Sequence, residues 1–195
     1  MNFLDTLYLL LLFVCAVFSF YNETARKEKL WLYFLPVFLS ELYVIAIRQN
    51  CDERIYLFSG LIYNIYLIFY FQPAKKIKLV LIAVYFICIL WAFNKSFYHD
   101  KVDTLSNVIL YLFLSLNYYY SQIKNPNEIP LYKKQRFWIA TGIFIWSIAY
   151  YFSAFPKSYL SNQDIFFLQT IVNTFQYINF LCYCIFLIGL NCKSS

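Results

Sequence analysis

The stretch DIFFLQTIVNTFQYINFLCYCIFLIGL, residues 164–190, decides the class of fold. It holds one acidic residue, Asp164 at its start, and no lysine or arginine. About 20 mostly apolar residues are enough for a helix to cross the roughly 30 Å hydrocarbon core of a bilayer. This stretch is therefore predicted to form a membrane-spanning helix.

The rest of the chain repeats this pattern. Apolar runs between charged interruptions predict seven spans, near residues 3–21, 30–48, 55–72, 77–94, 103–122, 137–155 and 164–190. The composition agrees, since 62% of the 195 residues are apolar and 13% are charged. A typical soluble domain has roughly 45–50% and about 25%. We expect one all-α domain over residues 1–195, a polytopic membrane protein folded as a seven-transmembrane-helix bundle.

The distribution of basic residues predicts the orientation of this bundle. Lysines and arginines in short loops are retained on the cytoplasmic side of a membrane. The connections after spans one, three and five, with the C-terminal tail, hold eleven of the 16, and the opposite side holds five. We expect the N-terminus outside and the C-terminus inside the cytoplasmic (inner) membrane of a bacterium. The net charge of +6 then reflects topology and contact with membrane lipids, and not direct nucleic-acid binding.

Polar side chains line one face of three predicted spans, the third, fifth and seventh, at helical spacing. Two interpretations stay open: the amides hydrogen-bond between helices as structural contacts, or the stripes line a polar cavity for a small molecule. Both place these three spans around the interior, with spans one and four mostly facing lipid. The residues that we single out as ligand-binding or ion-linked are Tyr63, Asn64, Asn107, Tyr111, Gln169, Asn173 and Gln176.

Glu41 completes this group of candidates, because it is the one acidic residue deep inside a predicted span. Intramembrane carboxylates are expensive to ionise, so they are usually protonated, paired or functional. The neighbours of Glu41 on its own helix face are apolar. Its partner is therefore expected from another helix, as an asparagine or glutamine of the stripes, unless Arg48 reaches back. The group is either a structural hydrogen-bonding residue or a proton-linked switch or cation site.

The longest predicted connection, residues 123–136, lies on the cytoplasmic side between spans five and six. It combines two prolines with four basic residues. Three of these, Lys133, Lys134 and Arg136, are expected to contact a protein partner or lipid headgroups. Electrostatic anchoring and docking of a soluble partner both fit this charge.

Several chemistries need residues that the sequence lacks. His99 is the only histidine, so two-histidine haem ligation and an HExxH zinc site cannot be built. Three scattered glycines cannot form a phosphate-binding loop, and no GxSxG motif occurs. No catalytic residue, metal or cofactor is therefore expected, and the protein is predicted to be non-enzymatic.

Two segments carry a family resemblance. They are Glu53-Arg54-Ile55-Tyr56 through Tyr63-Asn64-Ile65-Tyr66, and Asn173-Thr174-Phe175-Gln176-Tyr177-Ile178-Asn179 before Gly189. These segments resemble small seven-helix membrane proteins from AT-rich bacteria of the Bacteroidota type. The resemblance covers the general layout and two spans, and it implies no established activity. Some such proteins look like accessory components beside signalling or defence genes, which is an association and not a mechanism.

These features favour a receptor or regulatory component that senses a small ligand or membrane state. Because no output domain is seen, it is expected to signal through a cytoplasmic or membrane protein partner. A small proton-linked transporter or channel is the first alternative, based on Glu41 and the polar stripes. A membrane effector or accessory protein of a bacterial defence locus is the second.

Overall fold

The computed structural model describes residues 3–47, 54–72, 74–94, 99–126, 129–160 and 165–192. These residues form helices and connections and include no β-strand, which confirms the all-α class for this part of the chain. A 3₁₀ turn at Leu131–Lys133 lies between the sixth and seventh helices. The α-helices are α1 (Phe3–Tyr21), α2 (Glu23–Lys27), α3 (Trp31–Ile47), α4 (Arg54–Tyr70), α5 (Lys75–Asn94), α6 (His99–Lys124), α7 (Gln135–Leu160) and α8 (Ile165–Leu190).

Each of the seven predicted segments coincides with one long helix to within about five residues. The predicted edges at 48 and 164 lie outside the described residues. The short α2 falls in a segment that the sequence analysis treats as a connection. Its start is explained by Asn22, whose side chain accepts hydrogen bonds from the backbone N–H of Thr24 at 2.9 Å and of Ala25 at 3.3 Å.

Two segments of the described chain are long and apolar enough to cross a membrane. They are Gln135–Ala154 within α7 and Phe166–Leu190 within α8. Shorter apolar segments, Thr6–Tyr21, Trp31–Ile45 and Phe58–Tyr70, lie in α1, α3 and α4. Length and composition therefore give two candidate spans, and crossing of the bilayer by the other helices stays a prediction.

The seven long helices form a closed ring in chain order. Each packs against the next, from α1 and α3 through to α7 and α8, and α8 returns to α1. An aromatic layer, defined by Tyr33, Phe34 and Phe186, crosses this ring. Phe186 of α8 meets Tyr33 and Phe34 of α3 with ring centroids 5.9 and 5.7 Å apart, and Gly142 of α7 faces the same ring. The layer therefore joins three helices, of which α3 is not a ring neighbour of α7 or α8.

The first and fifth helices meet the ring differently. Outward-facing α5 exposes Leu79 and Ile87 by 63% and 64%, as expected for span four. In contrast, α1 buries Leu12, Cys15 and Ser19 completely and packs against both α8 and α3. Elsewhere α1 exposes large apolar side chains by 39% to 84%. The helix therefore has an outward surface, as expected for span one, and also a buried stripe of apolar and small residues that carries no polar signal in the sequence.

Candidate functional site

A buried amide cluster lies where α4, α5 and α6 meet. Asn64 donates through Nδ2 to Asn107 Oδ1 at 2.8 Å and also to the Tyr85 hydroxyl, and Tyr85 Oη is 3.3 Å from Asn107 Oδ1. These three residues are 0%, 5% and 4% exposed. The structure thus brings together Asn64 and Asn107, two candidates from different predicted stripes. Each lies more than one turn from either end of its helix. The cluster combines polar hydrogen-bonding capacity with near-complete burial.

Two further candidates lie next to this cluster. The hydroxyl oxygens of Tyr63 and Tyr85 are each 3.4 Å from the position that a Cβ on Gly60 would occupy, so both rings converge on the same glycine. Tyr111, one turn after Asn107 on α6, is 3% exposed and packs on Trp146 of α7 with centroids 5.5 Å apart. The polar faces predicted for spans three and five therefore do face the interior.

Glu41 lies in the other half of the ring and is half-buried. The hydroxyl of Tyr8 on α1 donates to Glu41 Oε1 at 3.3 Å. The Tyr8 ring in turn packs edge-on against Tyr183 of α8, with centroids 5.3 Å apart. A tyrosine hydroxyl from the first helix is thus one partner of Glu41, which the sequence analysis does not predict. The amide partner stays a prediction, and Arg48 lies outside the described residues. The carboxyl group and two phenols from three helices form a second polar centre.

The stripe predicted for span seven divides into two parts. Gln169 and Asn173 are exposed, Gln176 is half-buried, and Tyr183 is buried. The ring contacts of α8 with α1 and α3 begin at Tyr183, whereas the first half of the helix has ring contacts with α7. The expectation that Gln169 and Asn173 line the interior is therefore wrong, although their role in binding stays a prediction.

A groove of about 400 Å³ runs between α7 and α8 on this outer side. The hydroxyls of Thr170 and Thr174 lie in its lining but donate to backbone carbonyls of their own helix, at 3.0 and 2.8 Å. The remaining lining is almost entirely apolar, including Ile148, Phe152 and Phe175. This groove is therefore unlike the polar cavity predicted from the stripes.

The basic group at the start of α7 has only one fully exposed member. Lys133 is exposed, but Lys134 is 2% exposed and donates through Nζ to Gln122 Oε1 of α6 at 2.6 Å. Arg136 is directed across the ring, where its Nη2 lies 3.1 Å from Glu28 Oε2. Direct contact with a partner surface through Lys134 and Arg136 does not fit this arrangement, because both side chains are engaged within the protein.

Two titrating groups at this end have shifted pKa values. The hydrogen bond from Lys27, together with its charge, lowers the pKa of the exposed Glu23 carboxyl. Burial raises the pKa of the Cys192 thiol just beyond α8, whose Sγ lies 3.6 Å from the backbone oxygen of Tyr132. That oxygen also accepts a 2.7 Å hydrogen bond from Trp138 Nε1, which fixes the 3₁₀ turn against α7 and the end of α8.

Three residues that the structure places in these contacts were not predicted from the sequence: Tyr8, Glu28 and Tyr85. Tyr85 carries a signal that could have been used, since it is the only hydroxyl-bearing residue on an otherwise apolar or terminally basic α5. Glu28 gave no such signal, because an acidic residue in a basic connection is indistinguishable from a solvated one.

Metal binding has no visible basis in the part of the chain that the structure describes, where no three histidine, cysteine, aspartate or glutamate side chains gather. Comparison with family models, curated proteins and solved structures finds no match to this chain.

Proposed function

We propose that the protein is a non-enzymatic, seven-span receptor or regulatory component of a bacterial cytoplasmic membrane. The membrane part is supported by the outer surface of the ring. Every one of the seven long helices carries large apolar side chains that are more than a third exposed. Monomeric soluble proteins rarely expose apolar patches above a few hundred Å². A surface of this kind around a whole ring is well suited to hydrocarbon and poorly suited to water.

The proposed topology gives a direct prediction. Alkaline phosphatase fused after residue 51 should be active, because that point lies outside, whereas the same enzyme fused after Asn125 should be inactive. Green fluorescent protein at the same two points should give the reverse pattern, since it folds in the cytoplasm. Equal signals at both points would contradict the seven-span arrangement and leave fewer helices crossing the bilayer.

The receptor part is carried by one observation, the aromatic layer of Tyr33, Phe34 and Phe186. It fills the ring between α3, α7 and α8, and Phe186 is 1% exposed. Packed cores switch between discrete arrangements and do not deform continuously. An interior filled in this way therefore supports a protein whose helix packing changes when its polar centres bind a ligand. The polar centres that would respond are the Glu41 site and the amide cluster.

Signalling then requires a protein that reads the cytoplasmic side, because the described chain has only helices and short connections there. Lys133 belongs to a set of exposed basic residues on the predicted cytoplasmic side, together with Arg26, Lys27, Lys29, Lys75, Lys76 and Lys124. We propose that a cytoplasmic or membrane protein partner contacts this rim, while Lys134 and Arg136 transmit packing changes from inside. The likeness to small seven-helix proteins of Bacteroidota-type bacteria is compatible with such an accessory role.

Glu41→Gln tests the sensing role. The substitution removes the ionisable group but can still accept the hydrogen bond from Tyr8, so the fold should be retained. We expect a partner recovered with the tagged wild-type protein to change in abundance several-fold in the variant, measured by quantitative mass spectrometry from the native host. Ser40→Ala is the matched control, because its hydroxyl is satisfied by the Val37 carbonyl of its own helix at 2.8 Å.

A proton-linked transporter is the second candidate, and the contact between Glu41 and Tyr8 favours it. A carboxyl group beside two phenols can exchange protons along a short path. Saturable proton-coupled flux in liposomes that is lost in Glu41→Gln would replace the receptor proposal with this one.

The sensing role of Glu41 has its own contradicting outcome. Partner recovery that is unchanged by Glu41→Gln, with no melting-temperature shift, would contradict that role.

A further inference from the structure

A polar cluster closes the ring at the end that is predicted to be cytoplasmic. We call it the Arg136 cluster and define it by Glu28, Tyr66, Tyr70, Tyr118 and Arg136. Both carboxylate oxygens of Glu28 approach Nη2 of Arg136, at 3.1 and 3.4 Å. The guanidinium carbon lies 5.2 Å from the centre of the Tyr70 ring, and Tyr66 donates its hydroxyl to the backbone oxygen of Glu28 at 2.9 Å. The cluster therefore joins α4 and α7 with the segment before α3.

Hydrogen bonding in this cluster is incomplete. Within the described residues, Arg136 Nε and the hydroxyl oxygens of Tyr70 and Tyr118 are buried and have no hydrogen-bond partner. Tyr118 is 4% exposed, and its ring packs on Phe71 next to Tyr70, with centroids 5.9 Å apart. A buried polar group without a partner costs about 1–3 kcal/mol, so native proteins leave few of them. Their concentration near one arginine points to a bound polar group.

The two residues directly before Arg136 in the sequence add a second cation and further hydrogen-bonding groups. Gln135, directly before Arg136, is 0% exposed, and neither its Nε2 nor its Oε1 has a partner in the described chain. Lys134 brings a second buried cation whose described contact is the neutral amide of Gln122. Of these two neighbouring cations, Arg136 is paired with a carboxylate, that of Glu28, whereas the described contact of Lys134 carries no negative charge. An uncompensated buried charge is strongly unfavourable unless a counter-ion is bound.

The unpartnered atoms determine the chemistry of the ligand. Arg136 Nε is an obligatory donor, the hydroxyls of Tyr70 and Tyr118 can donate, and the Gln135 amide has two N–H groups beside one acceptor oxygen. Donors in excess, with net positive charge, suit an oxyanion and disfavour a cation. Glu28 occupies only the Nη2 end of the guanidinium, which leaves Nε for a second acceptor.

From this arrangement we infer that the Arg136 cluster is a binding site for a phosphate group, supplied by a lipid headgroup or by a free phosphate. The site is reached from its rim, where the side chains of Arg136 and Glu28 are 19% and 22% exposed. In the proposed topology this rim lies at the level of the cytoplasmic headgroups. The inference rests on the proposed function for its lipid source, whereas free phosphate requires only the folded ring.

The test uses the full chain in dodecyl maltoside, a detergent without phosphate, with thermal unfolding followed by tryptophan fluorescence. One arm adds inorganic phosphate while potassium chloride keeps the ionic strength constant. The other arm adds phosphatidic acid to the micelles. We expect a saturable rise in Tm in one arm, and that arm identifies the source of the phosphate.

Tyr118→Phe separates binding from structure. Without phosphate it should melt at the wild-type temperature or above, because it removes a hydroxyl that has no partner while the ring packing is kept. With phosphate its apparent Kd should rise about tenfold, since a hydrogen bond to a charged group is lost. Arg136→Lys, which keeps the charge but not Nε, should weaken binding similarly. Tyr120→Phe is the matched control on the same helix, because that side chain is 64% exposed.

No rise in Tm in either arm would overturn the inference, as would an equal rise in wild type and Tyr118→Phe. Its failure is distinguishable from failure of the proposed function. The fusion pattern and the Glu41→Gln experiment involve none of the cluster residues, so they can succeed while phosphate binding fails.

Discussion

Gly142→Ala is expected to destabilise the protein by about 1–3 kcal/mol, because the added methyl group has no space. A Cβ at this position would lie 2.9 Å or less from three atoms of the Phe186 ring. Phe186 cannot easily move away, since it is 1% exposed and its ring also contacts two rings on α3. Thermal unfolding of the purified protein in detergent should show a lower Tm, and size-exclusion chromatography a smaller monodisperse fraction.

Gly60→Ala is the matched control for this prediction. A Cβ there would lie 3.4 Å from two tyrosine hydroxyl oxygens, which is close to ordinary contact. Alanine also favours a helix over glycine by up to about 1 kcal/mol, so Tm should stay constant or rise slightly. The double variant Gly142→Ala/Phe186→Leu should recover part of the loss. A Gly142→Ala protein as stable as wild type would show that the aromatic layer is loosely packed.

The aromatic layer also shows where sequence reasoning reaches its limit. Hydropathy predicts the helical segments well, because the apolar runs are long and the charged interruptions between them are distinct. Nothing in the sequence indicates that Gly142 faces Phe186, since these residues are 44 positions apart. Such a pairing depends on the order of helices around the ring, and local periodicity contains no information about that order.

The polar centres could be predicted in part, because helical spacing is contained in the local sequence whereas contacts between helices are not. Helical spacing places Asn64 and Asn107 on interior faces, and the structure joins them through a hydrogen bond. The third member, Tyr85, lies on a helix without a polar stripe, so periodicity gave it no weight. Glu41 illustrates the complementary case. The cost of a buried carboxyl group predicts that a partner exists, but only the packing of α1 against α3 identifies it as Tyr8.

Burial of basic residues was the least predictable feature. A connection rich in lysine and arginine is normally solvated, and Lys133 follows that expectation. Lys134 and Arg136 deviate because the 3₁₀ turn at Leu131–Lys133 directs the chain back over the end of α6. The backbone oxygen of Tyr132, fixed by Trp138, holds this turn in place. Charge composition therefore identified the correct segment but not the direction of its side chains.

The ion pair between Glu28 and Arg136 should be the strongest electrostatic contact in the described chain. We expect Arg136→Met to cost about 2 kcal/mol, at the lower end for a buried pair because a fifth of each side chain is exposed. The loss includes the contact of the guanidinium with the Tyr70 ring. Glu28→Gln should cost less, because the hydrogen bond from Tyr66 uses the backbone oxygen of residue 28 and is retained.

A double-mutant cycle measures the coupling itself. The variant Glu28→Gln/Arg136→Met should be less destabilised than the sum of the single changes, by about 1 kcal/mol. The matched control is the pair of Glu23 and Lys27, whose atoms are closer, at 2.7 Å, but whose side chains are about 70% exposed. The cycle of Glu23→Gln and Lys27→Met should give no measurable coupling, because water and salt screen exposed charges. If both pairs gave the same value, burial would not determine the strength of the cross-ring contact, and the ion pair would not hold α7 against the segment before α3.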